Sequence, residues 1–200
     1  MLNIIIKDSD VLFQYGLQVI LADLFQHGFR EQVQFTNQFT YDSVSVADII
    51  VLSLCAGEMF TCIPVLRSRK KSIVIGLIDD EFRNKTTLSC LSGIILISRR
   101  ASLATVRENL FIAWYKTMQP GYLWNQNSCL DCHHKKLSSQ QIRIMMELYK
   151  GLSFTQIAQV LNISEKTVFT HKYMIMQKFD IRNDYELISL LHRLAENSSA

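Results

Sequence analysis

Between Glu165 and Phe179, residues able to touch a nucleic acid recur at helical spacing. At about 100° per residue, Val168, Ile175 and Phe179 share one narrow stripe of a helix. Lys166, Thr170, Tyr173 and Gln177 fall on the opposite stripe, flanked by Phe169 and Met174. Lys and Gln can hydrogen-bond base edges in a major groove, and Thr and Phe can touch a thymine methyl. Lys172 and Lys178 lie off this face, where they could reach phosphates. An ordinary solvated helix face has the same composition, and spacing alone does not separate the two readings.

Such a helix needs a scaffold, and the last third of the chain supplies start signals for one. Ser138 with Gln141, Ser153 with Gln156 and Asn183 with Glu186 have capping-box spacing, and Ser164, three before Thr167, is a plain N-cap. They predict helices over 139–150, 154–161, 165–179 and 184–195. The turn Asn162-Ile163-Ser164 is tight enough for a helix-turn-helix.

The stretch Leu137-Ser138, Gly151-Leu152-Ser153, Ile157-Ala158, Leu161 through Val168, His171, Lys178-Phe179 and Asn183 resembles the LuxR/NarL-type helix-turn-helix. The resemblance implies a four-helix domain whose third helix reads the major groove and whose fourth mediates dimerisation. It implies that Phe169, Thr170 and Tyr173 face the bases, with Lys166 and Lys172 nearby. Lys166, Thr167, Phe169, Thr170, Lys172, Tyr173, Gln177 and Lys178 are therefore the residues expected to bind double-stranded DNA. The sequence departs from the family in two ways. Gln141 and Gln156 stand where Glu is usual, and the base-facing positions lack a frequent basic residue.

Upstream, the short apolar runs Leu2–Ile6, Val33–Phe35, Ile49–Leu54, Ile73–Ile78 and Gly93–Ile97 are strand-length and rich in Ile or Val, as buried parallel strands are. Leu12–His27, Met59–Ser68, Arg83–Ser89 and Leu103–Lys116 read as helices between them. Thr36–Asp48 is too polar and short for a full helix and predicts a truncated crossover. The expected fold class is an α/β doubly wound domain over 1–118, a linker over 119–136, and an all-α four-helix helix-turn-helix domain over 137–200.

The α/β part resembles a response-regulator receiver, with its chemistry lost. A working receiver needs clustered carboxylates for Mg²⁺, an Asp acceptor, a hydroxyl switch residue and a Lys that pairs the phosphate. Here Asp8 keeps one acidic position while Ser9 replaces its neighbour. Ser53 stands at the acceptor position, Leu77 at the hydroxyl position and Ile97 at the Lys position. With the register shifted by one, Asp48, Asp79 and Asp80 are the nearest other acids. None restores the set, so a degenerate receiver-like domain that works without phosphorylation is expected.

Cys129-Leu130-Asp131-Cys132-His133-His134 has the spacing of a c-type haem attachment site or half a zinc site. Four ligands crowded into six residues, without a distant second pair, favour an ordinary linker, and neither cofactor nor metal is expected. The run Arg67-Ser68-Arg69-Lys70-Lys71 reads as a solvated cationic helix end. Cys55, Cys62 and Cys90 sit in apolar settings and read as core.

Charge places the partner. Residues 1–118 carry 12 Lys/Arg against 11 Asp/Glu, whereas 135–200 carry 9 against 6. Most of the positive balance therefore lies with the helix-turn-helix. No apolar run is long enough to span a bilayer, the start lacks the form of a signal peptide, and five cysteines without framework spacing suit a reducing cytoplasm. A non-enzymatic regulator is expected, acting on DNA as a homodimer or as a heterodimer with a related regulator, and not on a membrane. Pairing with another LuxR-type regulator as the main activity is the alternative. Relatives in enteric bacteria often control surface structures such as fimbriae, which is the family's expectation for target genes.

Overall fold

The computed structural model describes residues 1–79, 89–91, 93–119 and 135–198. The expected helix over Arg83–Ser89 therefore lies almost wholly outside the described residues, as do Cys129, Cys132, His133 and His134. Two compact units emerge. One holds Met1–Leu54 and Ile63–Cys132; the other holds Cys55–Cys62 and the C-terminal helices, His133–Ala200.

The first unit is a five-stranded parallel sheet, β1 (Leu2–Lys7), β2 (Val33–Thr36), β3 (Ile49–Ser53), β4 (Ile73–Ile78) and β5 (Ile95–Ser98), in the order β2-β1-β3-β4-β5. Every pairing is parallel, with Ile4 beside Ile49, Val51 beside Ile75, and Ile75 beside Ile95. Central strands covered on both faces need apolar residues at successive positions, which explains the buried runs Ile4–Ile6, Ile49–Leu52 and Ile73–Ile75 of β1, β3 and β4. Gly76 is the necessary gap: a Cβ there would lie 2.8–2.9 Å from Leu54, Ile94 and Leu96.

Helix α1 (Val11–Asp23) starts at Asp10, whose side chain accepts from the Phe13 amide, and runs into a wider turn over Leu24–Gly28. Helix α3 (Leu103–Met118) starts at Ser102. Leu17, Leu21, Phe25, Leu110 and Trp114 from these helices cover one sheet face. The crossover between β2 and β3 is the six-residue α2 (Tyr41–Val46), truncated as its composition predicts.

The expected helix over Met59–Ser68 does not form. Two tight 3₁₀ turns, Glu58–Phe60 and Pro64–Ser68, stand there instead. Pro64 lacks the amide a continuous helix would need and opens the second turn at its first position. Arg69, expected at a solvated helix end, is buried.

In the second unit, α4 (Ser139–Tyr149), α5 (Phe154–Leu161), α6 (Glu165–Phe179) and α7 (Asp184–Ser198) match the predicted helices closely. Both Ser138 and Ser153 form complete capping boxes with Gln141 and Gln156. Gln therefore does the work expected of Glu, because its carboxamide oxygen accepts the N-cap amide equally well. Ile144, Ile157, Ala158 and Val168 form the core between α4, α5 and α6. Cys55–Cys62 belongs to this unit. Gly57 has φ +82°, and a Cβ there would lie 3.0 Å from Leu190 and 3.1 Å from Phe179. Buried Glu58 lies 3.7 Å from Arg193, and the Lys135 ammonium sits 3.4 Å over the Phe60 ring. Among the described residues no helix is long and apolar enough to cross a membrane.

Candidate nucleic-acid interface

The turn between α5 and α6 sets the presentation of α6. Asn162 closes α5 in the left-handed region, φ 53°, which Asn tolerates better than branched residues. The amides of Asn162 and Ile163 return to the Ala158 carbonyl, so the chain reverses within three residues. Ser164 then accepts from the Thr167 amide and starts α6.

Val168, Ile175 and Phe179 are buried, as their stripe predicts. Lys166, Phe169, Thr170, Tyr173, Met174 and Gln177 are exposed, each lying three or four residues from another of the set. Three of them are large apolar side chains: Phe169, Tyr173 and Met174 are each about half exposed. The Thr170 hydroxyl donates to the Lys166 carbonyl, which turns hydrogen-bonding capacity back into the helix.

Three other expected site residues have partners inside the domain. The Thr167 hydroxyl is 2.8 Å from that of Ser164, at the helix start. The Lys172 ammonium is 2.6 Å from Asp184, with its side chain only 12% exposed. Lys178 donates to the Lys136 carbonyl. Sequence reasoning left these partners unseen because Asp184 and Lys136 lie on other segments. Lys135, at the start of the domain, donates to the Lys178 carbonyl, and desolvation holds its pKa below the usual lysine value.

The C-terminal edge of the parallel sheet, where ligands of such sheets bind, is a second polar cluster. It corrects the register read from the sequence. Ile97 is buried in the core and does not stand at the cation position. β5 starts two residues later than its apolar run predicts and ends one later, at Ser98, and Arg99 continues the face of Ile97 beyond the strand end. Leu77 is likewise core. One Arg99 nitrogen donates to Asp8 at 2.6 Å and to the Ser53 hydroxyl at 2.6 Å. The same guanidinium is 3.7 Å from Asp79 and 4.0 Å from Asp10, and it stacks 4.0 Å over the Phe13 ring. The divalent cation of working receivers does not fit this donor set. A guanidinium already holds the Asp8 oxygen, and Ser53 offers a neutral hydroxyl where a carboxylate would be needed.

Comparison with known proteins agrees with both units. Residues 135–191 match the family described as bacterial regulatory proteins, luxR family. Over 57 residues the chain is 37% identical to the response regulator UvrY of Escherichia coli K12 and of Shigella flexneri. That stretch spans 28% of this chain and 26% of those relatives. Among solved structures, the response regulator RcsB in complex with DNA shares the fold at 19% identity and a TM-score of 0.53, over 96% of this chain and 98% of that one. RcsB from Salmonella enterica serovar Typhimurium bound to promoter P1flhDC does so at 20% identity and a TM-score of 0.54, over 95% and 97%. Residues 135–191 thus match the luxR family of bacterial regulatory proteins, and the chain shares its fold with the response regulator RcsB.

Proposed function

We propose that this chain is a sequence-specific DNA-binding transcription regulator, not an enzyme, that acts as a pair of copies and without a phosphoryl switch. The observation that carries the reading is the exposed stripe of Lys166, Phe169, Thr170, Tyr173 and Gln177 on the second helix of a tight helix-turn-helix. An α-helix fits a major groove, and these side chains offer hydrogen-bond donors and apolar surface to base edges. In this reading residues 119–136 are the linker that joins the α/β domain to the helix-turn-helix module. Cys55, Cys62 and Cys90 form no disulfide, which suits a reducing cytoplasm. Selection of bound sequences from random DNA, followed by gel shift, tests the reading; a protein that enriches no sequence contradicts it.

Independence from phosphorylation rests on the Arg99 cluster. Receivers switch when an Asp gains about two negative charges. Ser53 is a poor acceptor without an activating base, and here its hydroxyl accepts from Arg99, a cation already engaged by Asp8. Acetyl phosphate should leave the mass of the purified chain unchanged, and Ser53→Ala should leave DNA binding unchanged. One phosphoryl group on Asp8, Asp48 or another acid, with altered DNA affinity, overturns this.

A second reading, an auxiliary regulator working mainly as a heterodimer with another LuxR-type protein, is favoured by one observation. Lys172 and Lys178 both have intramolecular partners, which reduces the cations available to phosphates. Gel shift with and without such a relative separates the two. Control of surface structures such as fimbriae is the family's expectation for the target genes, tested by mapping bound sites across a genome.

A further inference from the structure

On the exposed stripe, Phe169 is unusual. A phenylalanine 57% exposed on an α-helix would normally move between rotamers, and ordering it on a ligand would cost binding energy. Three residues from three helices restrain it. Phe154, the first residue of α5, meets the Phe169 ring edge-on, with centroids 6.4 Å apart and planes at 68°. The Lys172 ammonium sits 5.1 Å from the centroid of the Phe154 ring. Asp184, the first residue of α7, fixes that ammonium at 2.6 Å. The backbone beneath Phe154 is itself pinned by the Ser153–Gln156 capping box. Edge-to-face aromatic geometry and an ammonium over a ring are both attractive, so each contact supports the next.

We propose that Phe154, Lys172 and Asp184 are positioning residues that hold the Phe169 ring ready to pack on a thymine methyl in the major groove. Lys172 then serves Phe154 rather than a phosphate. The side chain is 12% exposed and already paired, which suits an internal strut better than a reach to the DNA backbone. The chemical class read is a 5-methylpyrimidine edge, the apolar feature the major groove displays. This inference rests on the DNA-binding reading.

The test uses the full chain and its best site from random-sequence selection, with each thymine replaced singly by deoxyuridine, which removes only the methyl. Wild type should lose roughly fourfold in affinity at one or two positions, as one buried methyl implies. Phe154→Leu and Lys172→Met should bind the thymine and deoxyuridine sites equally, while Phe154→Tyr, which keeps the ring edge, should retain the discrimination. For Lys172→Met, the slope of log affinity against log salt should stay that of wild type. Should Phe154→Leu fail to fold, Lys172→Met and Phe154→Tyr decide the matter. The proposal is overturned if wild type binds its site yet ignores every methyl, if Lys172→Met keeps full discrimination, or if it lowers the salt slope by about one, the mark of a lost phosphate contact. A wild type that selects no sequence at all would instead defeat the DNA-binding reading itself.

Discussion

The Arg99 guanidinium lies 2.6 Å from an Asp8 carboxylate that is 1% exposed, so the sheet's C-terminal edge carries its own resident cation. The pair joins the end of β1 to the end of β5, which are separated by two intervening strands. Removing the guanidinium leaves a buried carboxylate without its counter-charge. Arg99→Ala should therefore destabilise the chain by about 2–3 kcal/mol in urea unfolding. Arg99→Lys should cost less, since the charge remains although the fork is lost. Equal stability of Arg99→Ala and wild type would show that water replaces the pair without loss.

The Cys55 thiol should be inert. Burial first, then the negative charge and hydrogen bond of Glu58, push its pKa up from 9.0 to about 12. Thiolates, not thiols, react with alkylating agents. At pH 8.5, iodoacetamide should label Cys55 in urea and spare it in the native protein, as read by mass spectrometry of peptides. The linkage has a definite sign. The thiol form favours the folded state, so its contribution is intact below pH 9 and is lost as pH rises towards 12. Rapid native labelling of Cys55 would contradict this environment.

What the sequence revealed of the fold follows the range of each determinant. Capping boxes act over three residues, so Ser138 and Ser153 mark their helices closely. The alternating stripes of α6 depend only on helical period, so its exposed face is readable as well. The end of β5 is different. Ile94-Ile95-Leu96-Ile97 is apolar throughout, and an apolar run does not reveal where pairing stops; that is decided by β4, whose Ile78 pairs with Ser98. The apolar run therefore points to the core residue Ile97 where the folded strand end places the cation Arg99. The Asp184–Lys172–Phe154–Phe169 chain was illegible for another reason. Its members lie on three helices, and only tertiary packing joins them. The assignment of Cys55–Cys62 to the second unit is likewise long-range.

Helix α7 divides its apolar residues. Leu187, Leu190 and Leu191 are buried, whereas Ile188 is 48% exposed beside the more exposed Tyr185. An exposed apolar position on the helix to which the LuxR/NarL resemblance assigns pairing suits a two-fold contact. Ile188→Glu should lower self-association in analytical ultracentrifugation and reduce cooperative DNA binding, with the melting temperature within a few degrees of wild type. Unchanged self-association in the variant would place the contact elsewhere.

If the exposed stripe of α6 reads base edges, Tyr173, at the middle of that stripe, carries part of the preference. The most direct measurement is the affinity of wild type and Tyr173→Ala for the selected site and for a scrambled site, at one fixed salt concentration. Tyr173→Ala should lose about 1–3 kcal/mol on the selected site with little change on the scrambled one, so that preference narrows. Tyr173→Ala binding both DNAs with wild-type affinity would contradict it.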